Sequence, residues 1–400
     1  MPTYLSGAQH TENILQDERK FDIDPEIYYL REDLTPLVVL TWGKGKDGLP
    51  IKKESVSDPE FKVFEKEPHG AWTAINYSTG YTAGATTLLC DTVSHIPIGA
   101  VLKAVGGEQL YVTARDTGAN TITVKRGAGT TSAGTLGDNL PLYYIGNANA
   151  ERATPPMTLK VQTRARTNYT QIFRETIDYS RTLQKTRLHT GNKVEDLRKE
   201  AWIHWREQVE RMFIWGEPKE DVTYDADGYP TRFTGGLYYW INSTGNVTNI
   251  STTLTKALWM TFARNLFTYG SRRKVVLCAP IIIDALSYWK DNNLQFRPSD
   301  EVYGLRVAEW ESGHGTMLIV RDQMLENSPY GSGAGYGGVA IGFDPEMVNY
   351  KYLQGSDASL LLDRVKTGID GQVDEILGEC GLGVTNPETG WLLTGVSAYS

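Results

Sequence analysis

Two glycine triplets carry the spacing of a nucleotide loop. Gly43, Gly45 and Gly48 follow an apolar stretch, Val38 to Trp42, in the order a dinucleotide fingerprint requires. The chemistry behind that spacing is close approach of backbone amides to a pyrophosphate at a helix N-terminus. Here Pro50 and a lysine-rich loop follow, and no helix can start where the pyrophosphate would sit. Gly333, Gly335 and Gly338 lead into an expected strand, and neither triplet ends in the Gly-Lys-Ser/Thr of a phosphate loop. The six histidines, at 10, 69, 95, 189, 204 and 314, form no HExxH pattern and pair with no cysteine at metal-ligand spacing. Asp225 and Asp227 before Gly228 resemble the start of a calcium loop, but the third acidic ligand and the closing glutamate are missing. A tight hairpin turn accounts for them better. There is no Gly-x-Ser-x-Gly elbow, and spacing singles out no glycosidase dyad among the 48 acidic residues. The sequence thus offers no catalytic constellation, no cofactor and no metal site.

Charge points elsewhere. The net charge of −8 disfavours tight wrapping of nucleic acid, but it is unevenly spread. Residues 12–33 hold eight acidic against three basic side chains, a net of −5, while residues 160–187 hold seven basic against two acidic, a net of +5. Two solvated faces would explain this; so would complementarity between an acidic arm and a basic ribbon. No apolar run approaches the roughly 20 residues of a membrane span, so no membrane partner is expected. Residues 1–16 lack the features of a signal peptide, and Cys90, Cys278 and Cys380 show no motif spacing. Folding in a reducing cytoplasm is the expectation.

The ribbon is read from periodicity. From Met157 to Arg181 apolar and polar residues alternate, with Leu159, Val161, Tyr169, Phe173, Ile177 and Tyr179 on one parity and Lys160, Arg164, Arg166, Arg174 and Asp178 on the other. Twenty-five residues at about 3.3 Å each would span about 80 Å, more than a compact domain of this size is wide. The segment is therefore two strands with a bend, or a ribbon that leaves its own domain and lies on a neighbour. The alternating stretch Phe61 to Glu67 is its natural partner.

Around the ribbon the chain reads as α+β. Residues 1–23 form an extended arm. Asp24 and Pro25 open a short helix that Pro36 ends, and Val38 to Trp42 is a short strand. Thr-, Gly- and Val-rich residues 79–147 read as a small all-β module, with strands at Thr87–Cys90, Ala100–Val105, Gln109–Arg115, Thr121–Lys125 and Leu142–Ile145. Asn192 to Trp215 is the longest helix, stopped by Gly216 and Pro218. Asp225 to Gly228 makes a hairpin turn before Phe233 to Ile241. Helices follow at Leu254–Tyr269 and Ile282–Lys290, and strands at Lys274–Ala279, Leu318–Arg321, Val339–Phe343, Gly378–Thr385 and Thr389–Val396.

This order resembles the major capsid protein of tailed bacteriophages, the Hong Kong 97-type fold. The likeness is sharpest in Asn168-Tyr-Thr-Gln-Ile-Phe, in Thr-Leu-Gln at 182–184, in the long helix, in Gly235-Gly-Leu-Tyr-Tyr-Trp-Ile and in Gly378-Glu-Cys-Gly-Leu-Gly-Val-Thr-Asn-Pro. The resemblance implies an N-terminal arm at 1–35 and an extended loop at 50–190 interrupted by the module. It further implies a peripheral body at 191–241 and about 341–400 with its spine helix at 192–215, and an axial domain at about 242–340. It implies no active site. Its activity would be self-assembly into hexamers and pentamers of an icosahedral head around double-stranded DNA, touched only non-specifically. Separate scaffolding, portal and decoration proteins would be partners, the chain assembling in the host cytoplasm and residing in the virion. Contacts between subunits are expected where Asp17, Glu18, Asp22 and Asp24 of the arm meet Arg164, Arg166 or Arg174 of a neighbouring ribbon. The module is expected on the outer surface, serving contacts between capsomers. The alternative is an adhesive virion or surface protein whose β module binds glycan.

Overall fold

The computed structural model describes residues 35–42, 51–152, 158–186, 193–250, 253–289, 307–325, 338–364 and 370–400. The expected arm and its helix, Asp17, Glu18, Asp22 and Asp24 with them, lie outside the described residues, as do Gly43, Gly45, Gly48, Gly333 and Gly335. The chain divides into two compact units, one formed by the described residues up to Val63 and from Arg166 onward, the other by Phe64–Ala165.

The larger unit is built on the helix Lys193–Trp215. Val194, Ala201, Trp205, Val209 and Phe213 recur at steps of seven and four residues, so they share one face, and all are buried. Glu195 and Asp196 in the first turn suit the positive end of the helix dipole. The helix stops at Gly216 for a steric reason. A β-carbon there would lie 2.3 Å from the Thr234 carbonyl oxygen, so only glycine lets the returning backbone cross.

Against this helix lies a five-stranded sheet. Lys52–Val56 runs parallel to Val348–Leu353, which pairs antiparallel with Gly371–Val384; that strand in turn pairs antiparallel with Gln171–Ser180 and with the short Ser359–Leu361. Trp205 is fully buried, edge-on to Phe173 at 6.1 Å, and its indole N–H donates to the Phe173 carbonyl at 3.3 Å. Gly378 makes room for it: a β-carbon at 378 would sit 2.8 Å from the Trp205 ring.

A second sheet of six strands follows the order Val247–Asn249, Trp391–Val396, Gly338–Phe343, Arg273–Cys278, Gly315–Arg321, Val307–Ser312. Gly338–Phe343 is buried at every position, which explains its unbroken apolar sequence. The helices Lys256–Leu266 and Pro280–Tyr288 contribute buried Trp259, Phe262, Ile282 and Leu286 to the same core.

Two expectations need correcting here, and a third is resolved. Residues 38–42 are not a strand: Pro36–Trp42 is a helix, with proline in the first position where its missing N–H costs nothing. Of the two options for the alternation from 157 to 181, the described residues show two strands and not one continuous ribbon. Arg164–Tyr169 pairs with Glu60–Glu65, whereas Gln171–Ser180 belongs to the body sheet, and residues 158–163 carry no strand. Between the two strands Thr170 is fully buried, its amide donating to the Pro59 carbonyl at 2.8 Å and its hydroxyl to Glu379 at 2.8 Å. The chain changes partner at that residue. Finally, Trp391–Val396 joins the second sheet through Val247–Asn249 and Gly338–Phe343, so 341–400 does not lie wholly in the first body. After the hairpin Lys219–Asp221 and Thr231–Phe233, residues Leu237–Asn242 are helical.

The smaller unit contains a closed barrel. Its strands run Trp72–Ala74, Pro141–Asn147, Ala100–Ala104, Gln109–Asp116, Thr121–Lys125, Thr87–Leu89, and a bridge between Ile75 and Cys90 joins the last strand to the first. Closure leaves no edge for further pairing. The module thus begins at Trp72, ahead of the expected 79. Ile75, Leu88, Leu102, Leu110, Val112, Ile122 and Leu142 alternate inward and fill it.

One end of the barrel is held by an ion pair. Arg126 grips Glu108 with two hydrogen bonds of 2.8 Å, and both side chains are buried. Arg126 also donates to the carbonyls of Thr82 and Ala85, while the amides of Gly127 and Gly134 donate to Glu108, so three loops share one charge pair. Burial alone would raise the Glu108 carboxyl, but hydrogen bonds from Arg126, Gly134 and Gly127 outweigh it and hold the group below the usual range. Arg126→Met strands a buried carboxylate and should cost about 3–5 kcal/mol in urea unfolding of the module, read from Tyr81 and Trp72 fluorescence. Because the folded carboxyl titrates low, the pair's contribution is present above the usual glutamate range and is lost as pH falls through the folded value. The difference between wild type and Arg126→Met should therefore shrink below about pH 4. An undiminished difference at about pH 3 would contradict the assignment.

Candidate assembly surfaces

The basic segment expected to meet a neighbour is largely engaged within its own chain. Arg164 lies 3.6 Å from Glu67, both well exposed. The Arg166 side chain is 8% exposed, and its guanidinium reaches Glu388 at 2.6 Å. Arg174 hydrogen-bonds Glu375, with its own side chain mostly in solvent, and Arg181 meets Asp370 at 2.9 Å. The net of +5 therefore counts residues, not uncompensated charge. Arg164 and Arg174 remain accessible; Arg166 is a packed residue. Their proposed partners in the arm lie outside the described residues.

Asn168, in the motif quoted above, ties three segments together. Its side-chain amide donates to the carbonyls of Leu382 at 2.7 Å and Gly235 at 3.2 Å, and its oxygen accepts the Gly235 amide at 2.7 Å. Nearby, Asp374 is fully buried and accepts from Arg198 at 2.6 Å and from the Tyr179 hydroxyl at 3.1 Å. Burial raises the Asp374 carboxyl, but Arg198, the Asp363 amide and Tyr179 together hold it below its ordinary value. These contacts fix the long helix to the sheet.

The least expected group is Glu210. It sits on the long helix among buried apolar residues, is itself fully buried, and accepts the amides of Leu37 at 2.8 Å and Val38 at 2.7 Å. Those amides are orphan donors of the first turn of the helix Pro36–Trp42, so a carboxylate from residue 210 caps a helix far from it in sequence. A second buried carboxyl, Asp322, faces it electrostatically. Burial raises both groups, Asp322 to about 7, with the Asp322 charge adding to burial at Glu210. The amides of Leu37 and Val38 act against the rise at Glu210, and the Met324 amide does so at Asp322. Both oxygens of Glu210 receive donors, whereas Asp322 Oδ2 has no partner among the described residues. Burial and mutual repulsion thus keep a proton in this coupled pair well above the usual carboxylate range.

Neither Glu210 nor the Arg126–Glu108 pair was readable as a site. A glutamate in a helix and an arginine in a loop look solvated in sequence, and only the fold buries them. Among the described residues no cluster of three or more metal-ligating side chains occurs. His204, placed by the sequence in the long helix, lies 4.0 Å from Glu175 and is exposed. No helix among the described residues is long and apolar enough to cross a membrane.

Comparison with protein families matches residues 6–397 to the SU10 major capsid protein. No curated protein matches the chain. Among solved structures, the capsid of Myoviridae phage XM1 is 11% identical, covering 96% of this chain and 98% of that one with a TM-score of 0.47. The capsid of the native GTA particle is 9% identical over 95% and 96%, with a TM-score of 0.49. Mycobacterium phage Bobi gives 7% identity over 95% and 96%, with a TM-score of 0.48.

The two buried carboxyls set a pH response. Asp322 holds a proton in the fold up to about pH 7 that the unfolded chain releases near about 4, so stability should fall as pH rises across that window. Asp322→Asn should flatten the decline in melting temperature between about pH 5 and 8, and Glu210→Ala, which leaves the Leu37 and Val38 amides without their acceptor, should destabilise the chain by about 3 kcal/mol at about pH 5. Calorimetry across the series checks both; an Asp322→Asn variant with an unchanged pH slope would refute the first.

Proposed function

We propose, from the premise that the chain belongs to the SU10 major capsid protein family, that its copies close as hexamers and pentamers into an icosahedral head around packaged double-stranded DNA. The family match over residues 6–397 carries this reading. The structural capsid role and the absence of enzymatic activity follow from the family itself; the ring sizes, the shell symmetry and the DNA are our extension. Scaffolding, portal and decoration proteins complete the assembly, which takes place in the host cytoplasm before the head matures as part of the virion.

In this reading the arm and ribbon meet between copies, with Asp17, Glu18, Asp22 and Asp24 of one chain against Arg164 and Arg174 of the next. The exposure of those two arginines supports it, and the burial of Arg166 removes that residue from the contact. Each exposed pair contributes about 0–1 kcal/mol, so the effect is collective and weakens with salt. The barrel serves contacts between capsomers on the outer surface.

Negative-stain imaging of the purified chain should show rings or closed shells; discrete monomers at every concentration and salt would count against the reading. Arg164→Glu with Arg174→Glu should reduce shell yield sharply at low salt and leave the subunit folded by circular dichroism. Shells from that double variant at wild-type yield, in both low and high salt, would sink the arm–ribbon contact.

A further inference from the structure

The wall of the barrel is chemically two-sided. Strand register places Trp72, Tyr143, Lys103 and Gln109 in one row across four neighbouring strands. Ile145, at a bulge two residues on from Tyr143, and Val105, in the turn two residues on from Lys103, are exposed as well. Trp72 is 58% exposed, Tyr143 40%, Ile145 50% and Val105 67%. The far side of the wall, by contrast, turns Thr113, Thr123 and Lys125 outward. A closed barrel offers no strand edge, so whatever binds it binds a face, and contiguous exposed apolar surface of this kind marks a protein contact.

The body of the chain carries a surface of the matching kind. A groove of about 240 Å³ is lined by Ile172, Leu361 and Leu377 together with the carboxylates Asp357 and Glu379. Ile172 points into solvent from a strand whose other face is core. We propose that the aromatic face of one copy's barrel seats in this groove on a neighbouring copy, Trp72 or Tyr143 filling it and Lys103 facing Glu379, since Asp357 is already paired with Lys53. The inference rests on the capsid reading, which makes a second copy the partner always at hand. The face suits protein better than sugar: the Trp72 and Tyr143 rings are 4.4 Å apart but tilted by 42°, so they present no single flat platform on which a sugar ring would stack. Aromatic anchors in a pocket dominate interfaces, and a pairing of two different patches lets each copy join the next from one capsomer to another.

Two chains test this, one Tyr143→Cys and one Ile172→Cys; the three native cysteines are buried. Assembled together and oxidised, the mixture should give a disulfide-linked dimer that neither chain gives alone, because a disulfide forms only where backbones come within about 7 Å. Trp72→Ser with Tyr143→Ser should lower the temperature at which shells disrupt by several degrees without changing the melting of unassembled subunits. A dimer from Tyr143→Cys alone would place barrel against barrel and overturn the groove. Intact shells with no cross-link, as stable in the double serine variant as in the wild type, would also overturn it, and a glycan-array screen of those shells would then show whether sugar takes the face. Failure of the unsubstituted chain to form shells is a different result: it removes the capsid reading, and this contact with it.

Discussion

The body of this protein is organised around a carboxylate that water never reaches. Glu210 projects from the buried face of the long helix and takes the first amides of the helix Pro36–Trp42, so it joins the start of the described chain to its central helix. A carboxyl in such a place is tolerable because two backbone donors replace its hydration. The cost appears as raised titration of both Glu210 and Asp322, so the pair keeps a proton where carboxylates in water have lost theirs. The junction between the helix Pro36–Trp42 and the long helix is thereby held by an interaction whose strength depends on the protonation of that pair.

The second unit solves a different problem. A module of under a hundred residues inserted in a loop has a small core, and closing six strands into a barrel removes the edges that would otherwise pair with other chains. The Arg126–Glu108 pair holds its loops, and its wall is left free to differ from side to side. The body and the barrel are thus stabilised by independent means, one by a long helix on the first sheet with the second sheet sharing its core, the other by closure and a charge pair.

Much of this was legible. The barrel strands from 87 to 147 alternate in register with their burial, and the long helix shows its apolar face at steps of four and seven. What failed did so for physical reasons. Val38 and Val39 favour a strand by propensity, but Pro36 and the distant Glu210 impose a helix. Periodicity cannot report that a strand changes partner, and at Thr170 it does. Nor can it choose between two sheets for Trp391–Val396, whose parallel neighbour Val247–Asn249 lies far back in the chain. Trp72 escaped because a three-residue strand leaves almost no pattern. As for the assembly surfaces, the sequence named Arg164, Arg166 and Arg174 together, and only burial separates the packed one from the exposed two.

Strand order also has a bearing on how the chain folds as it is made. Gly371–Val384 is the hub of the first sheet and Trp391–Val396 is an interior strand of the second. Both leave the ribosome after every strand they pair with, at about 5–20 residues per second. The barrel, complete by Asn147, has all its strands long before then, whereas neither body sheet can close until residues 371–396 have been made. A nascent chain therefore carries a finished barrel on an unfinished body, and a polypeptide released before residue 371 lacks one interior strand of each sheet. The core is complete only in a chain that extends through Val396, so the topology itself screens out products truncated before that point.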